Sequence, residues 1–333
     1  MATYKGIQGY SVQTLASDPS PAASVEGQLW YNSTSETFKT AVGGTGAWAS
    51  GGAMTNPRAQ NATAGTQTAT IIAGGVQGDM SNTSVETYNG TAWTEVNDMT
   101  TGRSLSQGSG IQTAALAMCG NTPPPRANAE EYDGTSWAAI TDVNVGRSQG
   151  AACGTTTATI MFGGENPTPT NWTYNYDRTE SWNGTSWTEV ADLTTGRTQL
   201  SGSGTSTSGL ATGGNNDPTP YNANVEQWDG TSWTAATVLN TAAEGRGGFG
   251  TSSTNGTVAG GRNPGYIAST ESWNGTAWTE VADLATARYN SQGCGTATVG
   301  LLVGGTPPPG SAGSVLTEEW NGAPIGIETV TVT

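Results

Sequence analysis

No histidine occurs among the 333 residues. That absence removes the Ser-His-Asp and Cys-His nucleophile systems and every metal site that needs imidazole. Basic residues are scarce too: 11 Lys and Arg stand against 26 Asp and Glu, a formal charge of −15. A surface of that sign is repelled by phosphate backbones and anionic lipid, so neither nucleic-acid binding nor membrane insertion is expected. Cys119, Cys153 and Cys294 are an odd number with no CxxC spacing, and read as buried small residues rather than a disulfide frame or zinc site. No run approaches the ~18 apolar residues of a membrane span. Residues Met1 to Gly6 lack the basic start and apolar core of a signal peptide, so a soluble protein made in a cytoplasm is expected. Charged residues are only 11% and hydrophobic residues 34%. Such a balance suggests disorder until the 12 tryptophans are counted, because disordered chains are poor in aromatics.

Self-similarity decides the architecture. The segment Glu180-Ser181-Trp182-Asn183-Gly184-Thr185-Ser186-Trp187 returns almost unchanged from Glu271 to Trp278. Weaker copies start at Glu86, Glu131 and Glu226, with Tyr132 replacing the first Trp in the second, and a partial copy ends at Trp320-Asn321-Gly322. An arginine follows the second tryptophan by ten residues: Trp93 to Arg103, Trp137 to Arg147, Trp187 to Arg197, Trp278 to Arg288. From Trp233 to Arg246 the gap is thirteen. Between each arginine and the next Glu-x-Trp, an apolar stretch ends in Gly-Gly, with Cys119-Gly120 as the imperfect doublet. The arginine period is 42 to 50 residues.

Each unit reads as four short strands. A small-residue strand such as Ser148–Gly154 is followed by one such as Ala158–Phe162, which runs into the glycine doublet. The third strand carries Glu-x-Trp, and an Asn-Gly or Asp-Gly turn delivers the fourth with its second tryptophan. Those turns also match glycosylation acceptors, but Asp stands for Asn at positions 133 and 229, so turn chemistry explains them better. Four strands per repeat of this length predict propeller blades, with ring closure removing exposed sheet edges. Small residues suit inner strands crowded round a channel, and tryptophan fills the wider outer space. A buried tryptophan offsets ~4–6 kcal/mol of ordering cost, at 25 cal/mol per Å2 over its surface.

Six arginines open units: Arg58, Arg103, Arg147, Arg197, Arg246 and Arg288. The last unit lacks a second tryptophan, whereas Trp48 precedes Arg58 by ten. A strand around Trp48 is therefore expected to complete the blade begun at Arg288, closing a ring of six. With Trp93, Trp137, Trp187, Trp233 and Trp278, Trp48 would then make one outer tryptophan per blade. Gly-Gly, an aromatic on strand three and tryptophan on strand four resemble the kelch repeat over residues 42–322. The resemblance implies an all-β, six-bladed kelch-like propeller of four antiparallel strands per blade. It says little of activity, because such propellers serve mostly as binding platforms. Galactose oxidase, a kelch-type enzyme, holds copper with two histidines, so that activity is excluded; no cofactor is expected.

In this frame the loops after strand two gather with the inter-blade connections on one face, and they vary. They carry Arg126, Trp172, Tyr174, Tyr176, Arg178, Tyr221, Arg262 and Tyr266, the candidate residues for a ligand or partner. The aromatics suit stacking on sugar rings, docking of a protein partner, or packing of the loops onto the disc. The repeated arginine and glutamate read as structural ion pairs holding neighbouring connections. Arg126, Arg178 and Arg262 with nearby carboxylates resemble the carboxylate clamp of sialidases, which are also six-bladed. Asp133-Gly134-Thr135-Ser136-Trp137 resembles their Asp-box in part, but this turn is the strand three–four hairpin and no full box is present. A sialidase-like or depolymerase-type enzyme therefore stands as the alternative to a binding scaffold.

Residues 1–41 lie outside the repeat. Gly27-Gln28-Leu29-Trp30-Tyr31-Asn32, a polar turn, Phe38-Lys39 and then Trp48 resemble a motif near the start of structural proteins of tailed bacteriophages, especially marine and cyanobacterial ones. The resemblance implies a virion protein of tail or fibre type, assembled in the host cytoplasm. Its partners would be other virion proteins, copies of itself, and a host-surface glycan or protein. Residues Tyr4–Leu15 and Ile325–Thr333 have strand character that six blades do not need, and are expected to add to a neighbouring sheet or pair with each other. The organisation expected is an attachment segment (1–41), a propeller (42–322) and a strand-like tail (323–333).

Overall fold

The computed structural model describes residues 12–18, 29–42, 46–76, 82–121, 126–168, 171–173, 177–216, 219–310, 313–322 and 326–330. Among them there are strands and turns but no helix, hence none able to cross a membrane. The chain divides into two compact units, Met1–Ala47 with Gly322–Thr333, and Trp48–Asn321.

The larger unit holds six four-stranded sheets, an arrangement consistent with a β-propeller. In the third, Ala151–Thr155, Ala158–Phe162, Thr179–Trp182 and Trp187–Val190 pair antiparallel in chain order. Four others repeat that order; they begin at Ala62, Gln107, Ser201 and Gly247. The sixth takes Gln292–Thr296, Val299–Val303 and Thr317–Asn321 from the end of the repeat and Ala47–Ser50 from before it. Trp48 thereby reaches Trp320, with ring centroids 5.2 Å apart.

First strands lie side by side, and this explains their small residues. A Cβ on Gly108 would stand 2.5 Å from the backbone N of Thr63, and one on Gly293 would stand 2.7 Å from the carbonyl of Gly248. Real Cβ atoms do not approach so closely. The strand expected over 148–154 starts at Ala151 instead. Gln149 sits at φ +58°, a left-handed conformation that interrupts the extended backbone.

The expected hairpin turns are four-residue loops organised by side-chain oxygens. Asn183 Oδ1 accepts the N–H groups of Thr185 and Ser186, both at 2.9 Å. Asp229 does the same for Thr231 and Ser232 at 2.8 Å, so Asp and Asn serve equally. The Thr231 hydroxyl, with those N–H groups, holds the Asp229 carboxyl down to about 2.

Aromatic pairs close each hairpin. Trp182 faces Trp187 at 5.2 Å, Trp228 faces Trp233 at 5.4 Å and Trp273 faces Trp278 at 5.2 Å. Tyr88 and Tyr132 play the same part opposite Trp93 and Trp137. The fourth-strand indole also reaches another sheet. Where that sheet's third strand opens with threonine, Nε1 donates to the hydroxyl: Trp93 to Thr317 at 2.9 Å, Trp233 to Thr179 at 2.9 Å, Trp48 to Thr270 at 3.0 Å. Trp187 and Trp278 donate to the carbonyls of Thr141 and Thr237 instead. Trp137 packs in one cluster with Val85, and its buried Nε1 has no hydrogen-bond partner among the described residues.

The smaller unit is a seventh four-stranded sheet. Leu29–Asn32 and Thr37–Val42 form the expected hairpin; Gln13–Leu15 adds in parallel on one side and Gly326–Thr329 antiparallel on the other. Two strands alone are marginal in water, and both edges of this hairpin are occupied. The terminal strands therefore add to the chain's own hairpin, at opposite edges of its sheet, rather than pairing with each other. Segments 1–41 and 323–333 are parts of one unit rather than two; residues 1–11, 323–325 and 331–333 lie outside the described residues. The motif residues have local work here. Trp30 is buried, and its Nε1 and the Asn32 amide both donate to Asp18, at 3.2 and 2.7 Å.

Val85→Thr places a hydroxyl where other sheets offer one to the tryptophan, and should raise stability by about 1 kcal/mol, measured as a higher urea midpoint. Burial pushes the thiols of Cys153 and Cys294 up to about 12 and that of Cys119 to about 11. Unfolded thiols titrate near ~8.5, so the stabilisation is fully present below that pH and is lost as pH rises towards 11–12. Urea midpoints of the reduced protein should fall above about pH 9, and less steeply in Cys153→Ala.

Candidate functional site

The repeat arginines and glutamates meet inside the protein. Arg58–Glu86 and Arg103–Glu130 close at 2.5 Å, Arg246–Glu271 at 2.7 Å and Arg197–Glu226 at 2.9 Å. Arg147 pairs with Glu180 in the same way, and Arg288 lies 3.1 Å from Glu318 without hydrogen-bond alignment. All twelve side chains are at most 4% exposed. The repeat copy read from Glu131 presents Glu130 to the arginine; strand alternation turns Glu131 the other way. Each glutamate also accepts a backbone N–H from the connection that precedes the arginine. Glu86 accepts from Thr55 at 2.8 Å, Glu226 from Thr194 at 2.6 Å and Glu318 from Ala285 at 2.8 Å. One ion pair thus ties a sheet to the chain entering it. Burial lowers the pKa of Arg58, Arg103, Arg197, Arg246 and Arg288 against the glutamate's opposing pull, to about 10 for Arg197 and Arg288.

The gap of thirteen to Arg246 is a moved side chain, not an insertion. Gly214 N–H donates to the Ala243 carbonyl at 2.9 Å, as Gly164 N–H donates to that of Arg197 at 2.8 Å. Ala243, ten residues after Trp233, therefore holds the usual arginine place. Arg246 stands three residues further on, and its guanidinium returns to Glu271.

Two positions after the arginine place, the backbone turns left-handed in every unit. Gln60, Leu105, Gln149, Gln199 and Asn290 have φ between +51° and +58°, and Gly245 has +62°. A non-glycine residue there costs on the order of 1 kcal/mol or more. These residues are joined by hydrogen bonds from N–H to carbonyl: Gln60 to Asn290, Asn290 to Gly245, Gly245 to Gln199, Gln199 to Gln149, Gln149 to Leu105 and Leu105 to Gln60. The distances run from 2.7 to 3.1 Å, and the sixth bond returns to the first residue.

A cavity of about 390 Å3 lies over this cycle. Gln60, Gln149, Gln199 and Asn290 line it together with Tyr266 and Tyr289. The loops beyond the glycine doublets share its end of the sheets, because bridges such as Ser148 to Glu165 and Tyr289 to Thr306 tie them to the inter-sheet connections. Two short hairpins decorate this end, Asn166–Thr168 with Asn171–Thr173, and Arg262–Asn263 with Gly265–Tyr266.

Of the described candidate residues, only Tyr266 lines this cavity. Its ring lies 5.3 Å from that of Tyr289, and the Arg262 guanidinium stands 5.8 Å from the Tyr289 ring. Arg262 is also 3.9 Å from Glu244. Arg178 pairs at the surface with Glu189 at 3.3 Å. Arg126 is exposed and has no ion pair among the described residues, and Tyr221 is half-buried. The three arginines thus belong to different units, and Arg178 and Arg262 engage separate carboxylates rather than one clamp. Trp172 falls on the strand Asn171–Thr173 with its side chain outside the description, and Tyr174 and Tyr176 lie outside the described residues. The amides and Tyr289 were not among the candidates. Their signal was present: an amide stands two residues after Arg58, Arg147, Arg197 and Arg288, and Tyr289 directly follows the last. No group of three or more metal-ligating side chains gathers among the described residues.

No family model matches the chain, and no curated protein matches its sequence. Among solved structures it is similar to the structure of YjhT, with a TM-score of 0.66 and 13% identity over 80% of this chain and 96% of that chain. At that identity the likeness speaks for the fold alone, a β-propeller.

The moved arginine gives a test of the ion pair. Arg246→Ser should cost about 3–5 kcal/mol, the usual loss when one partner of a buried pair is removed. Adding Ala243→Arg should restore most of it, because the guanidinium then enters from the place used in the other units. Chemical denaturation of the two variants beside the parent measures both effects.

Proposed function

We propose that the larger unit is a closed, six-bladed, kelch-like propeller that serves a tailed-phage virion, tail- or fibre-associated, as a rigid module for assembly and host-surface binding. In this reading the strand Ala47–Ser50 completes the last blade and the hydrogen-bond cycle lines the channel mouth. The observation that carries the binding role is the contrast between frame and face. Ion pairs, aromatic pairs and turns recur from blade to blade, while length and chemistry vary in the loops at one end. Variation on a constant frame is where recognition resides. The virion assignment rests on the resemblance of residues 27–48, whose Trp30, Tyr31, Asn32 and Phe38 build the hairpin of the smaller unit. The acidic charge also suits a particle that must stay dispersed in salt water.

Hydrolysis is the less favoured reading. Retaining glycosidases need two carboxyl groups about 5 Å apart, and no carboxylate is among the described side chains that line the cavity. Purified soluble protein should adsorb to host cells and release no reducing sugar from their surface polysaccharide, and labelled antibody should mark intact particles at the tail. Sugar release would favour the enzyme, and unlabelled particles would remove the virion assignment.

A further inference from the structure

We infer that the cavity over the hydrogen-bond cycle binds an uncharged saccharide residue. This rests on reading the variable face as a recognition surface, and names the chemistry that the face takes.

The cycle consumes the main-chain groups at the cavity floor: each of its six residues gives its N–H to one neighbour, and its carbonyl accepts from the other. The side chains are what remains to meet a ligand. Those of Gln60, Gln199 and Asn290 line the cavity and have no hydrogen-bond partner among the described residues. Gln149 is the exception, with its amide committed to Glu165. A free carboxamide offers donors and an acceptor together. That mixture suits a sugar hydroxyl, which also donates and accepts, whereas an anion uses only the donors and a cation only the carbonyl.

Backbone strain points the same way. Gly245 occupies one of the six left-handed positions, so the fold accepts glycine there, and glycine would relieve the others. Amides nevertheless stand at four of them. A side chain kept where its backbone is disfavoured has a task that glycine cannot perform. One wall is aromatic: Tyr266 and Tyr289 line the cavity as a tilted pair, apolar faces suited to the C–H side of a pyranose ring. About 390 Å3 falls within the range of small-ligand sites, ~300–1,000 Å3.

Charge excludes the acidic sugars. No arginine or lysine is among the described residues lining the cavity, and the nearby Arg262 is turned to Glu244 and the Tyr289 ring. The chain as a whole carries −15. A sialic or uronic carboxylate would find no cationic partner and a repulsive field.

The probes are methyl glycosides of glucose, galactose and mannose, N-acetylglucosamine and N-acetylgalactosamine, set against N-acetylneuraminate and glucuronate. Saturation-transfer NMR on the full chain should show transfer to at least one neutral probe and to neither acid. The variant Gln60→Gly with Gln199→Gly should weaken that binding at least tenfold while the melting temperature holds or rises, because glycine suits those positions. Tyr289→Leu should weaken it as well. Silence from every neutral probe, unchanged binding in the double glycine variant, or tighter binding of an acid would overturn the inference. Host-cell adsorption that survives in the double glycine variant would also overturn it, yet leave the recognition role of the face standing. Saccharide binding without any adsorption would do the reverse.

Discussion

A buried arginine paired with a buried glutamate is the contact on which the larger unit depends. Each pair lies where the chain leaves one sheet and enters the next, with both side chains withdrawn from water. Such a pair contributes little net energy compared with a well-packed apolar replacement, but removing one partner is expensive, because the other is left charged and dry. The arrangement is therefore best understood as a lock on position. The glutamate takes the guanidinium on one oxygen and connection N–H groups with both, and the arginine also donates to carbonyls of the loop that precedes the third strand. Shifting a sheet along its neighbour would leave several of these groups unsatisfied together.

The lock explains how a chain so poor in large aliphatic residues holds a fixed structure. Gly, Ala, Ser and Thr dominate the first strands because adjacent backbones approach too closely for more. Most of the large buried surface comes from the outer tryptophans and from the second strands, as in Ile71, Ile72, Ile160 and Leu301. Burial of that kind is non-directional and does not by itself choose a register. The ion pairs, the indole N–H bonds and the cycle of main-chain bonds supply the choice. In sheet five the lock is made by a displaced arginine while the backbone keeps its register, so the pairing constrains more tightly than the sequence position that serves it.

The parts of the fold legible in sequence are those where one residue type has one task. Tryptophan at fixed offsets from arginine gave away the hairpin pairs, and Asn-Gly or Asp-Gly the turns between them. Trp48, ten residues before Arg58, pointed to the strand that joins Trp320. Conformations that the side chain does not advertise were harder to read. Gln149 carries no sign in sequence of its left-handed backbone, so the small-residue pattern reads as strand straight through it. Terminal strands with alternating character are compatible with many partners, and sequence alone did not single out the hairpin between them. Among the candidate site residues, loop aromatics and arginines stand out because they are large and unrepeated, yet Arg178 and Arg262 engage their own neighbours. The amides repeat with the frame and so read as part of it, although their position after the arginine places them over the cavity.

Six copies of one unit amount to an internal alignment. Positions alike in every copy answer to the frame, and positions that differ while facing one cavity answer to something outside it. The residue two after the arginine place meets both descriptions. Its backbone is left-handed and bonded identically in all six units, but its side chain is an amide in four, leucine in one and absent in one. If packing alone set that choice, glycine would serve throughout, since it adopts the conformation without strain. The site's asymmetry is therefore built on a symmetric floor: rigid main chain below, the amides of Gln60, Gln199 and Asn290 above, and a tyrosine pair on one side. A cavity with a floor held by six mutual hydrogen bonds has little to reorganise when a ligand arrives, so less of the contact energy is spent on ordering it.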